Sequence, residues 1–156
     1  MREDKIPYDR WAERGLLTLC PGNKVDYSMV TAWYVRMLEQ YDIRPIWNGY
    51  DPWNSTYWVQ EMQERGFDME VVRQGAKTLS QPMKEMAADL AAKRINYNRN
   101  PILLWCLTNV SVKMDENGNI RPVKGPNQRQ RIDGAVSLLI AYTVLFNHLN
   151  DYKALI

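Results

Sequence analysis

Cysteine and histidine are almost missing from this chain, which holds two cysteines, Cys20 and Cys106, and one histidine, His148, among 156 residues. Two isolated thiols make neither a disulfide framework nor a zinc ligand set, and a reducing cytoplasm is the environment that fits. His148 has no partner motif and stands late on an apolar helix, which suits a core or helix-end role rather than catalysis. An apolar leader is also lacking: Met1-Arg2-Glu3-Asp4-Lys5 carries charge where a secretory signal needs an apolar core, so export is not expected. No apolar run reaches the roughly 20 residues that cross a bilayer. There is little excess of charge, since 20 Lys and Arg against 18 Asp and Glu leave +2. Contact with a polyanion must therefore come from local clustering. Internal repeats, low-complexity linkers and a G-x-x-x-x-G-K-[ST] phosphate loop are all absent.

What remains is an ordinary globular composition, 46% hydrophobic and 24% charged, with six tryptophans as its oddity. The length suits one domain that buries about 70% of the surface exposed by its unfolded chain. Pro7 to Gly15 reads as a short helix with Trp11 inward and Gly15 as its stop, followed by a short strand or extended arm at Leu16-Leu17-Thr18-Leu19. Beyond the Pro21-Gly22 turn, Met29, Trp33, Met37 and Tyr41 recur every four residues after a capping Asp26, which predicts an amphipathic helix. Arg44 to Tyr50 reads as a strand. Asn54 or Ser55 then caps a helix carrying Trp58, Val59 and Met62 that stops at Gly66, and Asp68 to Arg73 reads as a second strand. Strand, helix and strand in that order predict a βαβ crossover and an α/β fold.

Further on, Ser80 is placed to cap a helix with Pro82 in its first turn and with Met83, Met86, Ala87, Leu90 and Ala91 on one face. Asn100-Pro101 marks another helix start. Val110 to Met114, the turn Asp115-Glu116-Asn117-Gly118-Asn119 and Ile120 to Val123 predict a hairpin. The last helix, Asp133 to about Leu149, has no charge from Gly134 through Asn150 and is expected to be buried around most of its circumference. Trp33, Trp58 and Trp105 fall at core spacing, Trp53 either walls a pocket or staples the strand end, and Cys106 reads as a small buried hydrophobe.

Two acids carry the sharpest chemistry. Asp51, in Tyr50-Asp51-Pro52-Trp53, stands where an apolar run stops against proline, and Asp133, in Arg131-Ile132-Asp133-Gly134-Ala135, opens a helix. Carboxylates at strand and helix ends can hold divalent cations that activate water and neutralise a leaving oxygen. The bland alternatives are a turn-forming aspartate at 51 and a helix cap at 133. Gly134 and Ala135 are small enough to let that helix end lie close to the sheet. From Asn117 to Ile132 the chain carries Arg121, Lys124, Arg129 and Arg131 with no acid, a local excess that can contact phosphates or simply be a solvated loop.

The order of the pieces is specific where each alone is weak. Pro7-Tyr8-Asp9-Arg10-Trp11, Gly15-Leu16-Leu17, Pro21-Gly22, Val25-Asp26-Tyr27, Tyr50-Asp51-Pro52-Trp53, Gly75 with Leu79-Ser80-Gln81-Pro82-Met83, Asn100-Pro101-Ile102-Leu103, Asn109-Val110, Asp115-Glu116-Asn117-Gly118-Asn119, Lys124 and Ile132-Asp133-Gly134-Ala135 follow one another across almost the whole chain. This succession resembles the nuclease half of tailed-phage terminase large subunits. The resemblance implies an α/β domain with an RNase H-like mixed sheet flanked by helices, cutting concatemeric viral DNA with Mg²⁺ or Mn²⁺. It makes Asp51 the second and Asp133 the last acid of the metal site; of the basic residues Lys124, Arg121, Arg129 and Arg131, whose local excess suggests contact with double-stranded DNA, Lys124 is the best candidate because it also falls in a resembling motif. It further implies that residues 1–156 form a single partial nuclease domain, without the family's first acid, the first strands of its sheet or its ATPase motor. Such a chain is expected to weaken the metal site, to self-associate through an uncovered sheet edge, and to meet a terminase small subunit and portal protein in the host cytoplasm, with no membrane involved. The rival expectation is a non-catalytic remnant that binds DNA or packaging partners.

Overall fold

The computed structural model describes residues 6–22, 24–127 and 130–155. Its elements are α1 (Tyr8–Glu13), α2 (Tyr27–Tyr41), β1 (Asn48–Tyr50), α3 (Thr56–Glu64), β2 (Met69–Val71), α4 (Ala76–Ala91), α5 (Pro101–Thr108), β3 (Val110–Met114), β4 (Ile120–Lys124), α6 (Asp133–Asn147) and α7 (Leu149–Leu155). They fall into two compact units, Leu19–Arg73 and, from two stretches of chain, Met1–Thr18 with Gln74–Ile156.

The unit of residues 19–73 contains the expected crossover. β1 and β2 pair in parallel, with Asn48 opposite Met69 and Tyr50 opposite Val71, and α3 runs between them. Asn48 is buried and anchors the ladder from both its backbone and its side chain, each N–H donating to Asp68 O at 2.9 Å. The strand is shorter than the expected Arg44 to Tyr50 and begins at Asn48. Asp26 caps α2 as its position predicts, its Oδ1 accepting from Ser28 N at 3.0 Å. Ser55 takes the N-cap place of α3, but its backbone is helical (φ −109°, ψ −1°), and its hydroxyl makes no capping bond. An extended cap residue is what aims its oxygen at the first helical amides. The core gathers Val59, Met62, Phe67 and Val72, with Tyr34 edge-on to Phe67 at 5.5 Å between ring centroids. Trp33, expected in the core, is 46% exposed, while Trp58 is half-buried against Tyr27.

In the other unit, α1 ends at Gly15 as expected, with φ +68°, and its buried Trp11 lies against Trp105 of α5 at 5.7 Å. Leu16 to Thr18 form no ladder. The Asn100 side chain caps α5, accepting from Ile102 N and Leu103 N, with Pro101 in the first turn. β3 and β4 form the predicted antiparallel hairpin. Its turn closes on Asp115, whose carboxylate accepts from Asn117 N, Asn119 N and Asn119 Nδ2. The Asn119 bonds lead in holding that carboxyl below its ordinary pKa.

Two expectations about the helices are corrected. α4 starts one turn earlier than Ser80, at Ala76 after Gly75, so Pro82 is interior and the buried face is Leu79, Ser80, Pro82 and Met86. The Ser80 hydroxyl serves a different amide, accepting from Ile120 N at 3.1 Å and tying the hairpin to the helix. α6 buries one stripe, Ala135, Leu139, Thr143 and Val144, whereas Leu145 and Phe146 stay 38% and 40% exposed. Within its unit α6 packs on α4 and α5, which cover one side of it.

A clasp joins α6 to α4: Tyr142 donates its hydroxyl to Asp89 Oδ2 at 2.7 Å, and Arg94 Nε reaches Asp89 Oδ1 at 2.9 Å. Burial, followed by the hydrogen bond and charge of Asp89, pushes the Tyr142 phenol up to about 12. The folded state therefore favours neutral Tyr142. The clasp contributes fully below the unfolded phenol value of about 10 and is lost as pH rises toward 12. Tyr142→Phe is expected to lower stability by about 1–2 kcal/mol at pH 7. It also removes the part of alkaline destabilisation that falls between pH 10 and 12, as read by denaturant melts across that range.

Candidate metal and nucleic-acid site

Asp51 follows β1 directly, so the parallel ladder and the doubly bonded Asn48 determine where its backbone emerges. The side chain is half-buried, and its Oδ1 accepts from Trp53 N at 3.1 Å. The bland reading of Asp51 as a turn former is thus part of its geometry, which does not prevent a carboxylate oxygen from also ligating a cation. Trp53 itself is 80% exposed and staples nothing.

Asp133 is the first residue of α6, behind the N-cap Ile132, and is exposed. Its carboxylate makes no hydrogen bond or ion pair with the described residues, so it is not acting as a cap. The helix start is pinned by two contacts. A Cβ added to Gly134 would lie 3.2 Å from Cys106 Sγ and 3.4 Å from Cys106 Cβ, so the bare Cα is what lets α6 approach α5. That neighbour is a helix where the sequence suggested the sheet. Second, the buried Asn109 donates its Nδ2 to Arg131 O at 3.0 Å, two residues before the acid. Asn109 is a positioning residue that the sequence reading did not single out for a role. Its signal was an asparagine closing an apolar helix just before a strand.

Lys124, at the end of β4, lines with Asp133 an open hollow of about 340 Å³, together with Gln74, Ile132, Val136 and Ile140. One cation and one carboxylate of the expected set are therefore brought together. The other basic residues are spread out. Arg121 is three positions from Lys124 on the same strand and so points to the opposite face of the hairpin. Arg131 is exposed in the connection before α6, and Arg129 lies outside the described residues. His148 caps the end of α6 and sits 3.3 Å from Asp151 Oδ2. Cys106 is buried and unpaired, as expected of a small hydrophobe.

Among the described residues no three His, Cys, Asp or Glu side chains are grouped to hold a metal ion. Asp51 and Asp133 are thus not a complete preformed ligand set. Their oxygens nonetheless suit a hard divalent cation that keeps several waters.

An α/β unit with a crossover, an acid at a strand end and an acid opening an apolar helix define a class, and comparison with known proteins specifies it. The family model for the terminase large subunit, endonuclease domain, matches residues 1–148, and the chain belongs to that family. It is 30% identical over 138 residues to Protein YmfN of Escherichia coli strain K12, covering 86% of this chain and 29% of that one. It is 28% identical over 142 residues to the terminase large subunit of Enterobacteria phage HK97, covering 90% of this chain and 28% of that one. The crystal structure of the HK97 bacteriophage large terminase superposes with a TM-score of 0.79 at 26% identity, over 90% of this chain and 29% of that one. The chain spans less than a third of the length of these relatives. No helix among the described residues is long and apolar enough to cross a membrane.

The Gly134 contact yields a direct test. Gly134→Val is expected to cost about 1–3 kcal/mol of stability by overpacking against Cys106. In a Cys106→Ala background the cost shrinks, a coupling that a thermal or urea double-mutant cycle reads.

Proposed function

We propose that this chain acts as a metal-dependent DNA endonuclease domain of a phage packaging terminase, cleaving concatemeric viral DNA, with an RNase H-like arrangement of its sheet. The observation that carries the reading is the pairing of membership in the endonuclease-domain family with an exposed Asp133, lacking any partner among the described residues, beside Lys124 in one hollow. Asp51 and Asp133 are the proposed ligands of Mg²⁺ or Mn²⁺, with water in the remaining positions. Such an ion supplies a more acidic bound water and neutralises charge on the leaving oxygen. Lys124 steadies a phosphate at the hollow, while Arg121, Arg129 and Arg131 add contacts to the duplex backbone that carry no sequence information. The partners that follow are double-stranded DNA and, as in a packaging machine, a small terminase subunit and a portal protein, in the cytoplasm of a bacterial host. The β1–β2 ladder holds two strands, and an open strand edge is a template for pairing, so self-association belongs to the same proposal.

A second reading, a DNA-binding module without cleavage, draws on Asp51 being engaged by the Trp53 amide. Plasmid nicking in Mn²⁺ distinguishes the two. The endonuclease reading predicts nicking that falls at least about 100-fold in Asp51→Asn and in Asp133→Asn, the scale of losing one ligand of a metal site. DNA affinity in EDTA should stay unchanged in both variants. Undiminished nicking in either variant contradicts the assignment, and salt-dependent binding without nicking in any divalent ion establishes the second reading.

A further inference from the structure

The hairpin register sets Lys113 of β3 directly opposite Arg121 of β4. Directly opposed residues share a face with their Cβ atoms about 4.5–5.5 Å apart, and like charges so placed destabilise a ladder. Ser111 and Val123 complete this face, whereas Lys124 belongs to the other one with Val110, Val112, Met114, Ile120 and Pro122. Neither Lys113 nor Arg121 forms an ion pair or side-chain hydrogen bond with a described residue. The nearest acid along the chain, Asp115, is engaged by three N–H groups of its own turn. Arg121 is half-buried, which restrains its stem, while Lys113 is exposed.

Two opposed cations without an acid between them are a costly arrangement for the free protein and a suitable one for an anion. The planar guanidinium offers a fork of donors to phosphate oxygens, and the ammonium adds a compact charge beside it. We infer that Lys113 and Arg121 form a backbone phosphate clamp for duplex DNA on the face of the hairpin turned away from Lys124. This inference rests on the reading of the chain as a DNA-acting domain. Three residues along a strand span about 10 Å, and clamp and hollow lie on opposite faces of the hairpin. Lys113 thereby joins the interface although it stands outside the acid-free basic stretch.

The test is duplex binding by the intact chain in EDTA, followed by anisotropy of a labelled 20-base-pair DNA across a salt series. Each of Lys113→Gln and Arg121→Gln should flatten the slope of log K against log salt by about 0.9, and the double variant by about twice that. Lys113→Arg should keep the wild-type slope. In the absence of DNA, neutralising either cation should leave the melting temperature unchanged or higher, and Lys113→Glu should raise it while weakening DNA binding at least about tenfold, because an opposed pair of unlike charge replaces a repulsive one. Wild-type slopes in the neutralised variants, or a melting temperature that falls on neutralisation, overturn the clamp while leaving the DNA reading intact. Failure of the unaltered chain to bind duplex DNA overturns both.

Discussion

The approach of α6 to α5 at Gly134 governs what the larger unit can present. With no Cβ at that position, the helix start comes within van der Waals contact of Cys106. The Asn109 amide holds the preceding carbonyl of Arg131 from the same side of the structure. Together they leave Asp133 at the first position of an apolar helix, facing solvent beside Lys124 rather than folded back on its own amides. The Tyr142–Asp89–Arg94 clasp secures the same helix about two and a half turns further along.

Charge is divided between the two units in a way the total of +2 conceals. Residues 19–73 carry five Lys and Arg against eight Asp and Glu, while the rest of the chain carries fifteen against ten. The basic excess therefore accompanies the hairpin, the hollow and Asp133, and the acidic excess accompanies Asp51.

Much of the fold was legible because its signals are local. Asp26, Asn100-Pro101, Gly15 and the Asp115 turn each act within four residues of themselves, and each does what its chemistry predicts. The βαβ crossover was legible from alternation alone. The misreadings came where a tertiary partner competes for a local signal. Ser80 has the hydroxyl of a cap, yet a hairpin amide forty residues away takes it, and the helix begins a turn earlier. Trp33 keeps its helical spacing but lies on a face that the core does not cover, and α6 is apolar beyond the side that α4 and α5 reach. At the candidate site, the two acids and Lys124 were legible in motifs, whereas the role of Asn109 and the opposed cations depend on long-range contacts and strand register.

The central proposal is that Asp51 and Asp133 are metal ligands, and paramagnetic NMR with substoichiometric Mn²⁺ addresses it most directly. The proposal predicts that backbone amides around Asp51 to Trp53 and around Ile132 to Gly134 broaden, and that Asp51→Asn and Asp133→Asn each abolish the broadening at their own segment. Absence of broadening at either segment, or broadening that survives the asparagine substitution there, would contradict it.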